Sequence, residues 1–346
     1  MRIAFVISLI GLLAMSIAVW GENRPGGSAG TEQKLLVLRN EKIVVGLLPR
    51  VGGTVALLRL PAGKNVLLSN PALWGEAEHD IPDPKNNPPY KAYNGQTVWV
   101  GPQETWGWPP DPYLLYGKFS VVEQSGTYVK MVGQASPICG LQLTKEVRLR
   151  DDGTVEFTVT GTNTLQQDVS WDLWSISRLP ATARCYVPLQ KDVRLKLEFS
   201  TWFPEEERQM AYRVLHGFLT FIPTPAKRFP HGINRELVKA LVIPSEAVLA
   251  AFQDGNVFIK RTEHVPAERI HPSQSPVEMY QETNRVQDKE VLELEFHSAY
   301  QKFAPGQSMW LRETWQVLPY HGQMTPEAHI RFLQHLGIGI KSAQAE

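Results

Sequence analysis

From about residue 34 to about residue 318, the chain repeats short runs in which apolar and polar residues alternate. "TVEFTVTGTN", "GLQLTKEVRLR" and "VLELEFHS" show the pattern most plainly. A period of two sends successive side chains to opposite faces of an extended backbone, so each run can bury one face and keep the other polar. "KLLVLRN", "KIVVGLLP", "GTVALLRL", "QTVWV", "KFSVVEQ", "TYVKMVG", "VSWDLWSIS", "EAVLAAFQ", "NVFIKRTE" and "SMWLRETWQVL" read as strands on the same grounds. Asp152-Gly153 and Asp254-Gly255 supply the positive φ that tight hairpins require. The expected class is all-β, built from antiparallel sheets as one domain over residues 30–346. One helix is expected in "TPEAHIRFLQHLG", with Thr325 as N-cap, Pro326 in the first turn and Gly337 as terminator. Its stripe Ile330, Leu333 and Leu336 is read as a packing face.

The N-terminus departs from this pattern. Arg2 precedes the apolar run "AFVISLIGLLAMSIAVW", and "GENRPGGSAG" follows with small and polar residues. That is the layout of a secretory signal peptide cleaved between about Ala18 and Ala29, so residues 1–29 are read as signal and spacer and the expected location is periplasmic or secreted. The competing reading is an uncleaved anchor, since the run approaches the roughly 17 residues that span a bilayer. Beyond this segment no membrane contact is expected. The 35 basic and 35 acidic side chains cancel, which leaves no field to attract nucleic acid or an anionic surface. Cys139 and Cys185 read either as one disulfide of an oxidising compartment or as small buried apolar residues.

Within the strand rhythm, "GPQETWGWPPDPYLLYG" stands out, with Trp106, Trp108, Tyr113 and Tyr116 among four prolines. Proline fixes φ and removes a ladder donor, so this stretch is expected to be a loop and not a helix or central strand. A long, aromatic-rich loop in a compact domain is usually functional.

Three kinds of residue carry possible chemistry. In "VLELEFHS", Glu293, Glu295 and His297 share one strand face, opposite Leu292, Leu294 and Phe296; the face is either solvated or the lining of an acid–base site. If "SPVEMYQETN" is extended, Glu278, Tyr280 and Glu282 also share a face. The remaining histidines lack metal-type spacing, so no metal site and no cofactor are expected. No phosphate loop, nucleophile elbow or helical zinc-protease motif is present. Carbohydrate chemistry uses the aromatics best. Sugar rings pack C–H faces on Trp and Tyr while their hydroxyls need polar partners, and "NGQTVWVGPQETWGW" interleaves both kinds.

Three segments, in order, resemble galactose-mutarotase-like domains. "LLPRVGGTVALLRLPAGKNVLL" is similar to the family's opening strands around a glycine pair, and "EVRLRDDGTVEFTVTGTNTLQQDVSWDLWSI" to its central strands. "VLELEFHSAYQKFAPGQSMWLRETWQVL" resembles its C-terminal signature. The Trp-and-Pro loop is similar to that of a bacterial branch of unknown function. The resemblance implies a β-supersandwich of large antiparallel sheets that binds a saccharide on a concave face. It places the family's proton-abstracting glutamate at Glu295. Where the family has its proton-donating histidine, this chain has Trp171, Asp172, Trp174 and Arg178, and Gln103 and Glu104 lie roughly where the family has its Asn-Arg pair. The catalytic set expected on these grounds is Glu295 with His297, Glu282 or Glu104 as partner. The expected sugar contacts are Gln103, Trp106, Trp108, Trp99, Trp174, Arg178 and Tyr280. Three functions follow: an enzyme acting on an anomeric centre, a saccharide-binding protein without catalysis, or an envelope protein whose aromatic loop is core.

Overall fold

A computed structural model describes residues 34–75, 81, 90–190, 196–198, 207–286 and 289–339. The proposed export signal, residues 1–29, lies outside them. In chain order the strands are β1 (Leu36–Arg39), β2 (Val44–Leu48), β3 (Thr54–Arg59), β4 (Gln96–Gly101), β5 (Phe119–Gln124), β6 (Tyr128–Ala135) and β7 (Leu141–Leu149). Then follow β8 (Val155–Asn163), β9 (Val169–Leu179), β10 (Arg184–Pro188), β11 (Lys196–Glu198), β12 (Glu207–Gln209), β13 (Ala211–Leu215) and β14 (Phe218–Ile222). The last are β15 (Arg235–Val242), β16 (Val248–Gln253), β17 (Asn256–Thr262), β18 (Val277–Asn284), β19 (Lys289–His297), β20 (Gln301–Phe303) and β21 (Ser308–Pro319).

Two sheets result. The 11-stranded sheet runs β1-β2-β3-β4-β9-β19-β18-β15-β11, with β12 beside β15 and β20 beside β9; the 10-stranded sheet runs β13-β14-β10-β16-β17-β21-β8-β7-β6-β5. Of these ladders, only β12–β15 is parallel. Every expected strand formed. Those not foreseen are β10 to β15 and β20: in β10, β14 and β15 consecutive apolar residues break the alternation, as in "RELVKALV", and β11, β12 and β20 are only three residues long.

The sheets pack face to face through one apolar cluster. Val98 and Val100 of β4, Leu173 and Leu179 of β9, Leu292, Leu294 and Phe296 of β19, and Val277 and Met279 of β18 meet Val147, Phe157, Val159 and Leu311 of the other sheet. Each such side chain contributes about 1.5–3 kcal/mol on burial. Because the period is two, the alternate residues of the same four strands point to the opposite face.

Two local details follow from the residues. Gly52 and Gly53, at φ +60° and +55°, turn β2 into β3, and a Cβ on Gly52 would collide with the Leu115 carbonyl. A tight turn with close backbone approach is where glycine, free of a Cβ and at ease with positive φ, is required. The proline-rich stretch is not all loop. Asp111 accepts from the Tyr113 N–H at 2.9 Å and caps a five-residue helix, α1 (Pro112–Tyr116), with proline at its first position, where no N–H is needed.

The C-terminal helix α2 (Pro326–His335) forms as expected. The Thr325 hydroxyl accepts from the Ala328 N–H at 3.3 Å, and Gly337 takes φ +79°. Ile330 and Leu333 are buried, but Leu336 is left 37% exposed, and His329 takes the remaining buried position, stacked on Phe252. Cys139 and Cys185 are both buried and unbonded, which settles the two readings in favour of small apolar residues. Burial pushes the Cys185 thiol up to about 12. Among the described residues no helix is long and apolar enough to cross a membrane.

Lys145 is an exception in the core-facing set of β7. It is fully buried beside Leu143 and Val147, and its Nζ donates to the Gly52 carbonyl at 2.6 Å. Burial lowers its pKa to about 7. Between about pH 7 and the ordinary lysine value near 10.4, the unfolded chain holds a proton that the folded chain lacks, so stability rises with pH across that window. Lys145→Met is expected to stabilise the protein by on the order of 2 kcal/mol at pH 7 and to flatten this slope. Urea unfolding of both proteins at pH 7 and pH 9.5 checks it.

Candidate active site

On the outward face of the 11-stranded sheet the register brings ionisable and aromatic residues into adjacent rows. Glu293, Glu295 and His297 of β19 stand opposite Arg178, Ile176 and Trp174 of β9. Across the other ladder, Glu278 of β18 pairs with Glu295, and Tyr280 with Glu293. Trp99 of β4 pairs with Trp174, and Lys239 of β15 with Tyr280.

This face is not solvated. Glu295, His297 and Asp172 are fully buried, Glu278 and Arg178 nearly so, and Trp99 and Trp174 are about 5% exposed. Loops cover it. Gln274 reaches His297 Nδ1 at 3.0 Å, and Trp106 and Trp108 pack edge-on against Trp99, each with centroids 6.1 Å away. A Cβ at Gly101 would collide with Gln274 and crowd the Asp172 carboxylate, so glycine there lets both close on the imidazole.

Charge is arranged as a chain. Asp172 Oδ1 lies 3.0 Å from His297 Nδ1, and His297 Nε2 lies 3.5 Å from Glu278 Oε1. Lys239 Nζ then bridges Glu278 Oε2 at 2.6 Å and Glu295 Oε2 at 3.2 Å. The Trp174 indole N–H donates to the same Glu295 oxygen at 2.7 Å, and Ser275 N–H donates to Glu278 Oε1 at 2.9 Å. Burial works against every one of these charges, and the neighbours decide the outcome. Lys239 and His297 overcome burial at Glu278 and hold it at about 2. Glu278 and Asp172 do the same for His297, lifting it to about 10. At Glu295 burial prevails over Lys239, and its pKa is raised.

Beside this chain, Arg178 donates to Glu293 at 2.7 Å and to the Thr97 hydroxyl at 2.9 Å, with its guanidinium 5.2 Å from the Trp99 ring. Among the described residues, five buried polar atoms at this face have no hydrogen-bond partner: Trp99 Nε1, Asp172 Oδ2, Gln274 Oε1, Glu295 Oε1 and His297 Nε2, the last held only by its 3.5 Å ion pair with Glu278.

The sequence-derived residues therefore divide. Glu295, His297, Trp99, Trp174 and Arg178 converge. Trp108 covers them with 56% of its surface exposed, while Trp106 is half-buried with its indole N–H tied to the Val100 carbonyl at 2.9 Å. Tyr280 and Glu282 share the face as expected but form a separate group. Tyr280 donates to Glu282 at 2.6 Å, and Arg235 and Lys289 also engage that carboxylate. Gln103 and Glu104 sit on an exposed 3₁₀ turn, with Glu104 3.7 Å from His271 and outside the buried chain. Lys239 was not foreseen, because the consecutive apolar residues of "RELVKALV" hide its strand; the single lysine in that run was the available signal. Asp172, Glu278 and Gln274 gain their place through pairing across strands and loops.

The fold is that of the galactose-mutarotase-like β-sandwiches. A candidate aldose 1-epimerase from Klebsiella pneumoniae superposes with a TM-score of 0.50 at 11% identity, over 87% of this chain and 82% of that one. The Slr1438 protein from Synechocystis sp. PCC 6803 gives 0.50 at 10% identity, over 82% and 96%. A galactose mutarotase-like protein from Lactobacillus casei gives 0.49 at 12%, over 82% and 100%. Residues 33–318 match the model of a domain of unknown function, DUF4380, and the chain belongs to that family. Comparison with curated proteins gives no match.

Removing Lys239 leaves Glu278 and Glu295 buried face to face. Lys239→Met is expected to cost about 3–5 kcal/mol at pH 7, and less near pH 4, where protonation relieves the carboxylates. Denaturant midpoints at the two pH values check this.

Proposed function

We propose that this protein binds a saccharide on the outward face of its large sheet, outside the cytoplasm. The observation that carries the reading is a group of unpartnered buried atoms, Glu295 Oε1, Trp99 Nε1 and His297 Nε2 among them, beside a tryptophan wall. Glu295 Oε1 accepts, Trp99 Nε1 donates, and His297 Nε2 donates when protonated, while Trp108 offers an exposed ring. A buried polar atom without a partner costs roughly 1–3 kcal/mol, so a ligand carrying hydroxyls beside an apolar C–H face recovers energy there. The mutarotase-like fold supports a sugar ligand, and the apolar N-terminal run supports export. Calorimetry against hexoses, hexose phosphates and short glycans is expected to find a binder whose affinity falls about tenfold in Trp108→Ala, roughly 1.4 kcal/mol. Unchanged affinity in that variant would remove Trp108 from the site.

A second reading, catalysis at an anomeric centre, is favoured by one observation. Glu295 and His297, two residues apart on β19, present an unpartnered acceptor and an unpartnered ring nitrogen to the same face. Glu295 would take the anomeric hydroxyl proton and His297 would give one to the ring oxygen, which opens the ring without net proton change. NMR exchange between anomers is expected to be accelerated by the wild type and slowed about 10²-fold or more by Glu295→Gln. Equal rates with and without protein, across the sugars that bind, leave binding alone.

A further inference from the structure

We propose that Glu278, Glu295 and His297 form a site for one divalent first-row cation, Zn²⁺ or Mn²⁺, with Asp172 positioning the histidine. One oxygen of each carboxylate and one ring nitrogen lie within 4.8 Å of one another, and all three residues are buried. Ligand atoms around a metal at 2.0–2.3 Å are spaced by about 3–4 Å, so a small rotation of the carboxylates closes the set.

Two independent features point to an ion. Lys239 engages only Oε2 of each carboxylate, so Glu278 Oε1 faces His297 Nε2 at 3.5 Å while Glu295 Oε1 and His297 Nε2 themselves have no hydrogen-bond partner. On the far side of the imidazole, Asp172 Oδ1 is 3.0 Å from Nδ1. A carboxylate at the outer nitrogen is the arrangement that fixes the tautomer of a metal-bound histidine and turns its other nitrogen toward the ion.

Charge agrees once the ion replaces the His297 proton: Asp172, Glu278 and Glu295 carry three negative charges and Lys239 one positive, and a dication with the imidazole neutral, as a metal ligand requires, brings the group to zero. The mixed imidazole and carboxylate donors suit Zn²⁺ or Mn²⁺ and disfavour the all-oxygen cages of Ca²⁺ and Mg²⁺. A bound ion would also engage Glu295 and His297 as ligands, so it is an alternative to their acid–base role. It also takes up two of the atoms offered to a saccharide, Glu295 Oε1 and His297 Nε2, and leaves Trp99 Nε1, the Trp108 ring and the ion itself to meet one.

The test uses the whole protein, purified without a histidine tag and stripped with EDTA, titrated with Zn²⁺ and separately with Mn²⁺ in the absence of any sugar. One saturable site is expected, with affinity reduced at least 100-fold in Glu278→Gln and His297→Gln and 10- to 100-fold in Asp172→Asn. Glu263→Gln, at an exposed acid just past the end of β17 on the other sheet, is expected to bind as the wild type does. Spin-echo spectra of Mn²⁺ on the wild type are expected to show coupling to an imidazole nitrogen, a result that needs no variant to fold. Absence of saturable binding by either metal, absence of that coupling, or a folded His297→Gln with wild-type affinity would overturn the site. Saccharide calorimetry in EDTA tests the binding reading separately.

Discussion

The apolar interface between the two sheets holds everything else in register. Leu292, Leu294 and Phe296 fill it from β19, Leu173 and Leu179 from β9, and Val277 and Met279 from β18. A slip of one residue in any of these strands would turn its apolar set outward and its ionised set into the core, at a cost no sheet of this size could absorb. The interface therefore sets the pairing of Glu278 with Glu295, of Glu293 with Arg178, and of His297 with Trp174, although none of these residues lies in it.

On the outward face, the same register concentrates charge where water is excluded. Such a group is stable only as a connected whole, since each member loses hydration and recovers it from its neighbours. Lys239 is the hinge of that balance, for its ammonium touches both Glu278 and Glu295. A sheet that needed only stability would carry well-packed apolar residues there. Retaining an ionised chain with unpartnered atoms at Glu295 and His297 fits a surface kept for a ligand.

Parts of this were legible from the residues. The shared face of Glu293, Glu295 and His297, and that of Glu278, Tyr280 and Glu282, follow directly from alternation. The turn at Gly52-Gly53 and the capped helix at Thr325 follow from local stereochemistry. Other parts were not legible. "VLELEFHS" admits a solvated face as readily as a buried one, because burial depends on loops outside the strand, the one carrying Gln274 about twenty residues away and the one carrying Trp106 and Trp108 more than a hundred. Nor does spacing separate Glu295 from Glu282. Both lie on paired strands, yet one meets Lys239 and Trp174 while the other meets Arg235 and Lys289.

The sequence by itself determined the all-β class, most of the strands, the faces on which their side chains lie, and the resemblance to a sugar-handling fold. These depend on period two, turn chemistry and proline, which act between residues a few positions apart. Tertiary structure alone decided which carboxylates share a lysine, which imidazole nitrogen is left without a partner, and that the aromatic loop closes over the site. Those outcomes depend on strand order and loop placement, and contacts between β4, β9, β15, β18 and β19 join segments that local physics does not connect.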